Sequence, residues 1–212
     1  MVSESFYTPA QRQVQERFDS RRLADRLNEI TVSDRIGDHA RAMIEAAPFF
    51  FLATADDEGW PDVSYKGGRP GFVRVLDDRR IAFPSYDGNG MYRSLGNIED
   101  NPRVGLLFVD LDQPYRMRLK GRAALVDDPA MVASWPGAEA AVEVAVEAVF
   151  PNCSRYLHRL ELHEISQYVP AEGHRPPEPE WKAMDMLAPY LPKRTGGKGP
   201  TGPDNGEDQQ QR

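Results

Sequence analysis

The feature that most constrains the fold is a series of short apolar segments of strand length, with turn residues between them. Residues 48–54 are almost entirely apolar and end at the turn 56–59, and residues 60–66 supply the partner strand of a hairpin. Residues 72–84 predict a second hairpin. Because hairpins join antiparallel strands, the pattern argues against a parallel nucleotide-binding sheet.

Further strand patterns follow the two hairpins. Residues 103–110 contain the continuous apolar run 104–109, residues 115–126 alternate basic with apolar side chains, and residues 141–150 show a period of two. Residues 159–169 predict a last strand. Six or more short strands with few helices indicate a mostly β protein built as an antiparallel barrel.

Three helices are predicted before residue 103. Thr8-Pro9 starts an amphipathic helix that runs to about Asn28 and is expected to form an arm. Ser33-Asp34 caps a second helix that ends near Ala46. A short helix from about residue 90 to 100 stops at Asn101-Pro102.

The predicted organisation has four parts. Residues 1–47 form the N-terminal helical arm and second helix, residues 48–170 the barrel, and residues 171–194 a C-terminal extension with a short helix at 180–190. Residues 195–212 lack aliphatic and aromatic side chains and are expected to be disordered.

Composition excludes several classes of protein. The chain has 212 residues and a formal net charge of -7, which disfavours a nucleic-acid binder. A single cysteine, Cys153, allows no intrachain disulfide and suggests a reducing, cytoplasmic compartment. The start of the chain lacks the pattern of a secretory signal, and no apolar run approaches transmembrane length, so we expect no membrane association.

No self-contained catalytic motif is present. G-x-S-x-G, the phosphate loop G-x-x-x-x-G-K-[ST] and the dinucleotide fingerprint G-x-G-x-x-G are all missing, and arginine stands where a glycine would complete the pattern begun by Gly88-Asn-Gly90. The four histidines do not fall at metal-ligand spacing, so no metal site is predicted. Chemistry is therefore expected to come from a bound cofactor, acting on a small-molecule substrate or electron donor.

Side chains suited to a phosphate collect around the first hairpin and the short helix. Ser64 and Lys66 lie two apart on one strand and therefore point to the same face. Ser85, Asn89 and Arg93 come from the end of the second hairpin and the start of the helix. If the two hairpins are neighbours, these groups converge on one anion at a helix N-terminus. A solvated strand edge and a helix capped by Asn89 is the alternative.

From Pro48 to Val169 the chain resembles the pyridoxamine 5'-phosphate oxidase-like, FMN-binding split-barrel family. The most specific piece runs from Arg93 to Phe108 and contains Ile98-Glu-Asp-Asn-Pro-Arg-Val104 before the apolar strand. The resemblance implies an antiparallel six-stranded split β-barrel, a homodimer with FMN at the subunit interface, and oxidoreductase chemistry. By similarity, Lys66 and Arg93 bind the cofactor. The full predicted cofactor-binding set is Ser64, Lys66, Ser85, Asn89, Met91, Arg93, Ser94 and Arg116.

Three departures from the family pattern argue against vitamin B6 oxidation. Pro61-Asp62 stands where the family's oxidases usually have an arginine that opens the first cofactor strand. Ser94 replaces the lysine that usually follows the helix arginine. Leu187-Ala-Pro189 lacks the arginine of the C-terminal substrate motif. Flavin binding remains expected, whereas the substrate stays open.

Other interpretations remain open. The same fold could hold deazaflavin F420, whose long anionic tail would suit a basic groove of Arg116, Arg118 and Lys120, or it could hold haem. A flavin-binding protein without turnover, with the arm gripping a partner subunit, is a different class. Residues 151–158 could cover a flavin or bind substrate, although Cys153 is expected to be buried and inert.

Overall fold

A computed structural model describes residues 6–111, 113–153, 155–158 and 160–192. The tail predicted to be disordered, 195–212, lies outside these residues. The chain divides into two compact units, residues 1–177 and 178–212. In the described residues, no helix is both long enough and apolar enough to cross a bilayer.

The first unit contains the helices and strands. Its α-helices are α1 Pro9–Arg17, α2 Arg21–Thr31, α3 Asp38–Ala46, α4 Arg93–Asp100 and α5 Pro129–Ala133. Its strands are β1 Phe49–Ala55, β2 Pro61–Gly67, β3 Arg74–Val75, β4 Arg80–Tyr86, β5 Arg103–Val109, β6 Arg116–Leu125 and β7 Ala138–Asn152. The second unit has two 3₁₀ turns, Glu180–Ala183 and Ala188–Tyr190, where one short helix was predicted.

All seven strands belong to one antiparallel sheet in the order β2-β1-β5-β6-β7-β4-β3. The antiparallel, mostly β prediction is confirmed, but the sheet has seven strands rather than six and is not closed by hydrogen bonds. The sheet curls instead. The Phe50 ring of β1 lies 5.0 Å from the Phe83 ring of β4, although the two strands are not paired, and 5.3 Å from the Phe108 ring of β5. These contacts between ring centroids bring β1 and β4 together around one core.

The alternation of buried and exposed side chains along the strands builds that core. Phe50 and Leu52 of β1 are fully buried, as are Met117 and Leu119 of β6. Gly121 lies where the register between β6 and β7 shifts, and a Cβ there would collide with the carbonyl oxygen of Ala145. Only glycine permits this close approach of the two backbones.

The N-terminal arm differs from the single helix predicted between Pro9 and Asn28. Thr8 and Gln11 form a capping box, so the predicted start is confirmed. The helix breaks after Arg17, and Asp19 adopts a left-handed conformation with φ of 49°. Two short helices result, and neither contains a buried residue.

Two other predictions are wrong, one about the start of α3 and one about a last strand. Ser33 does not begin α3, because its backbone pairs with Val149 of β7 at N···O distances of 3.0 and 2.8 Å. No strand forms in residues 160–169. Strand β7 has 15 residues and is paired on both sides, with β6 and β4, so Leu160 and Leu162 cannot pair with it and stay 47% and 44% exposed.

Candidate functional site

Polar side chains form a row on the edge strand β2. Ser64 pairs with Leu52 of β1 and Lys66 pairs with Phe50, and directly paired residues share a face of the sheet. Asp62, Ser64 and Lys66 therefore lie on the face that carries the core, where β2 is the last strand. The sequence prediction that Ser64 and Lys66 share a face is confirmed.

Helix α4 covers this row. The Asn97 side chain donates a hydrogen bond of 3.0 Å to the Thr54 hydroxyl of β1, and both residues are buried. Ile98 is 2% exposed and packs in the core. A buried polar pair is stable only when its groups satisfy each other, so this bond fixes how α4 sits on β1 and β2.

The docked helix brings Ser94 onto the polar row. The Ser94 and Ser64 hydroxyl oxygens lie 3.0 Å apart, and Ser94 is 7% exposed. One hydroxyl donates to the other, whose own O–H can then donate to a ligand. Arg93 precedes Ser94 at the start of α4. We call Asp62, Ser64, Lys66, Arg93 and Ser94 the β2–α4 cluster.

Lys66 supplies a partly desolvated cation in this cluster. Burial lowers its pKa below the ordinary 10.5, and the negative charge of Asp62 acts in the opposite direction. Among the residues that the structure describes, none accepts a hydrogen bond from the Lys66 ammonium group. A nearby anion would offset the cost of burying this charge.

Asp62 is the member of the cluster that sequence reasoning missed. Its Oδ1 lies 3.6 Å from Nε of Arg93, and the side chains are 25% and 55% exposed. The signal was present, because Asp62 stands two residues before Ser64 and must share its face. It was interpreted only as the absence of the family's arginine.

The loop before α4 does not match the predicted cap. The Asn89 side-chain oxygen accepts a hydrogen bond of 3.0 Å from the backbone N–H of Met91, so it closes a local turn and does not cap the helix. Tyr92 holds the N-cap position with φ of 47° and makes no side-chain cap. Met91 is 64% exposed. The prediction that Asn89 and Met91 bind the cofactor stays a prediction.

Ser85 lies in a different part of the sheet. It pairs with Ala140 of β7, whereas β1 pairs with β2 and β5. The condition for convergence, that the two hairpins are neighbours, is therefore not met within the sheet, since three strands separate β1 from β4 in the sheet order. Ser85 follows Phe83 by two residues, so it shares the core face, at the end of β4.

Arg116 lies on the opposite face of the sheet from the cluster. Its guanidinium donates two hydrogen bonds to the carbonyl oxygen of Cys153, at 3.1 and 2.7 Å. Arg118 and Lys120 follow on the same face, because Leu119 between them points into the core. Cys153 is exposed and not buried as expected, since it follows β7 outside the sheet.

Similar solved structures cover about half to two thirds of this chain. The chain is similar to HupZ from Group A Streptococcus, with 24% identity over 55% of this chain and 93% of that one and a TM-score of 0.45. An FMN-binding protein from Syntrophomonas wolfei shows 12% identity over 66% and 97%, with a TM-score of 0.42. An F420 reductase shows 21% identity over 53% and 93%, with a TM-score of 0.37.

The family comparison is more direct. No curated protein sequence matches the chain. The family model described as Pyridoxamine 5'-phosphate oxidase matches residues 36–166, more than half of the 212 residues. The match includes the whole sheet and α4, and therefore every member of the β2–α4 cluster. The chain belongs to the pyridoxamine 5'-phosphate oxidase family.

Proposed function

We propose that the protein is a flavoprotein that binds FMN in a split barrel and transfers hydride or electrons through it to a small molecule. The observation that carries this proposal is the β2–α4 cluster, where two hydroxyls and two cations meet at the start of a helix. The cluster lies within the family match. The substrate and the electron donor are left open.

The chemistry of the cluster fits a phosphate ester. Phosphate oxygens accept hydrogen bonds, and in the Ser64–Ser94 pair the hydroxyl that accepts from the other can donate its own O–H to them. The Arg93 guanidinium and the Lys66 ammonium supply positive charge, and the N-terminus of α4 adds its dipole. The half-buried Lys66 ammonium gains most from an anion, because burial already disfavours its charged form.

Bound FMN would supply hydride and electron transfer at its isoalloxazine ring, and the residues of this chain would bind and orient it. The Ser64–Ser94 hydroxyl pair would fix the phosphate end by a hydrogen bond of defined direction. Lys66 and Arg93 would neutralise its charge. Asn97 would hold α4 in place through Thr54, so that Arg93 and Ser94 keep their positions when the ligand enters.

We also propose a homodimer. The outer face of β1 and β2 carries exposed apolar side chains: Phe51, Val63 and Tyr65 are 37%, 66% and 59% exposed. Tyr65 stacks on Phe49 at 5.1 Å between ring centroids, so these side chains form one patch. Contiguous apolar patches of this kind mark association surfaces, and a second copy would cover it symmetrically.

FMN is preferred to F420 and haem on the basis of where the cations lie and of the side chains that the cluster offers as ligands. The basic row of Arg116, Arg118 and Lys120 lies on the other face of the sheet, so within one chain it does not extend the β2–α4 cluster toward a long anionic tail. The cluster offers hydroxyls and cations, not the His, Cys, Met or Tyr side chains that bind haem iron. Parallel titrations with FMN and F420 test this preference.

A second candidate is an interaction protein without turnover. Helix α2 presents Leu23, Leu27 and Ile30 at helical spacing, 63%, 44% and 57% exposed, and this stripe could grip a partner subunit. Oxidation of reduced FMN by a panel of electron acceptors, with and without the protein, separates the two candidates. Faster oxidation than with free flavin supports an enzyme, and equal rates support the interaction protein.

Substitution of Arg93 tests the site. We expect Arg93→Ala to weaken FMN binding by about 1.5–3 kcal/mol, the value of a charge-assisted hydrogen bond, which is roughly 10- to 150-fold in Kd. Arg122→Ala is the matched control, because Arg122 is equally exposed but pairs with Glu147 on the outer face. Equal FMN affinities in the two variants would remove Arg93 from the site.

A further inference from the structure

Asp62 introduces a negative charge into a cluster that otherwise suits an anion. Its carboxylate lies 3.6 Å from Arg93 Nε and influences Lys66 on the same strand face. Two cations and one carboxylate leave the cluster with a single net positive charge. A phosphate monoester such as FMN carries up to two negative charges above pH ~6.

The charges therefore do not balance for a dianion. A doubly charged phosphate would leave the cluster with one excess negative charge and would have to draw Arg93 away from Asp62. A singly charged phosphate would leave it neutral. Asp62 is 25% exposed, so solvent screens its charge only in part.

We propose that Asp62 is a specificity-determining residue, whose carboxylate competes with a flavin phosphate for Arg93 and makes this site favour a singly charged phosphate over a dianion. This inference rests on the proposed flavin site and deepens it. Its consequence is that the wild-type protein holds FMN less tightly than the two cations and two hydroxyls would allow. FMN is then an exchangeable ligand and not a permanently bound one.

A different role for Asp62 predicts the opposite result. If the carboxylate orients Arg93 toward the ligand, its removal would weaken FMN binding. The separation of 3.6 Å is longer than a hydrogen bond, and Arg93 is 55% exposed. A pair this loose does not hold the guanidinium in one orientation. The negative charge of the carboxylate nevertheless repels a second anion that approaches Arg93.

The test compares three flavins of graded charge on full-length wild-type protein and Asp62→Asn. The ligands are riboflavin, which has no phosphate, riboflavin 4',5'-cyclic phosphate, which carries one negative charge, and FMN at pH 8. For each ligand, fluorescence titration gives the ratio of Kd between wild type and variant, so differences in ligand shape cancel. Asp57→Asn is the matched control, because Asp57 is exposed in the turn of the same hairpin. Thermal unfolding checks that each variant is folded.

We expect Asp62→Asn to tighten FMN binding roughly tenfold, the cyclic phosphate by about threefold and riboflavin by less than twofold, in order of ligand charge. Asp57→Asn should leave all three unchanged. FMN affinity that is unchanged or weaker in Asp62→Asn overturns the inference while the flavin site stands, and so does an equal gain for all three ligands. If no flavin binds either protein, the proposed function fails and the inference fails with it.

Discussion

Two neighbouring rows of paired residues cross the sheet, one residue apart on β1. Because side chains alternate along each strand, one row faces the core and the other faces outward. The inner row contains Ser64, Leu52, Leu106, Leu119 and Val149. The outer row contains Tyr65, Phe51, Leu107, Arg118 and Phe150. The four apolar residues of the inner row are at most 6% exposed, whereas Tyr65 and Phe51 of the outer row are 59% and 37% exposed.

The inner row is complete within one chain. Its apolar members fill the core, and at the edge strand it ends in Ser64, which Ser94 of α4 covers. The outer row presents aromatic and basic side chains that the described part of the chain leaves partly uncovered. We infer that the inner row supports folding and the ligand site, and that the outer row supports association.

The largest effect should come from breaking the inner row. Leu52→Ala removes a fully buried side chain, and we expect the free energy of unfolding to fall by about 2–5 kcal/mol. Phe51→Ala, one residue away on the outer row, is the control and should cost about 1 kcal/mol. Denaturant unfolding at low protein concentration measures both. Equal losses would mean that the two rows are equally buried in the working protein.

Breaking the outer row should dissociate the proposed dimer. Tyr65→Asp places a charge in the apolar patch, and we expect dimer affinity to fall by about 2 kcal/mol or more, roughly 30-fold or more in Kd. Arg122→Ala, at an exposed ion pair, is the control. Analytical ultracentrifugation over a range of concentrations is the measurement. A wild-type chain that remains monomeric at high concentration would contradict the dimer.

Loosening α4 should affect stability and ligand binding together. Thr54→Val removes the acceptor of the buried Asn97 bond, and we expect a loss of about 1–3 kcal/mol in stability, because the Asn97 amide loses its partner. FMN affinity should fall as well, since Ser94 and Arg93 lie on the same helix. If stability falls while FMN affinity is unchanged, the position of α4 does not determine binding.

The smallest effect concerns pH. Burial lowers the pKa of Lys66, so the folded protein releases this proton below pH 10.5, before the unfolded chain does. The unfolded state then binds more protons, and the Lys66 contribution to stability rises with pH in that window. FMN affinity should fall over the same range as the cation is lost. Lys66→Met should remove both trends, and an identical affinity profile in this variant would exclude Lys66 from the site.

Local patterns predicted most of the sheet. The strand period of two, the hairpin turns and the capping motif at Thr8 act within a few residues, so the sequence reveals them directly. The position of Ser64 and Lys66 on one face followed from the same periodicity. The order of the strands could not be predicted from this periodicity, because the pairing of β1 with β5 and of β4 with β7 depends on how the whole sheet curls.

The candidate site was predictable only in part. Ser94 was predicted, but its contact with Ser64 depends on the docking of α4 through Asn97 and Thr54, which are 43 residues apart in the chain. Arg116 was placed near the flavin by resemblance, whereas strand alternation sets it on the outer face. Asp62 was noted only as the absence of the family's arginine, although its carboxylate lies 3.6 Å from Arg93 Nε.

The most direct test of the account is a flavin titration of the purified protein, monitored by visible absorbance. The central claim is that the β2–α4 cluster binds FMN by its phosphate. We predict a saturable shift in the FMN spectrum at one flavin per chain, with weaker binding of riboflavin and loss of the preference for FMN over riboflavin in Arg93→Ala. A protein that is colourless as purified and leaves the FMN spectrum unchanged would contradict the account.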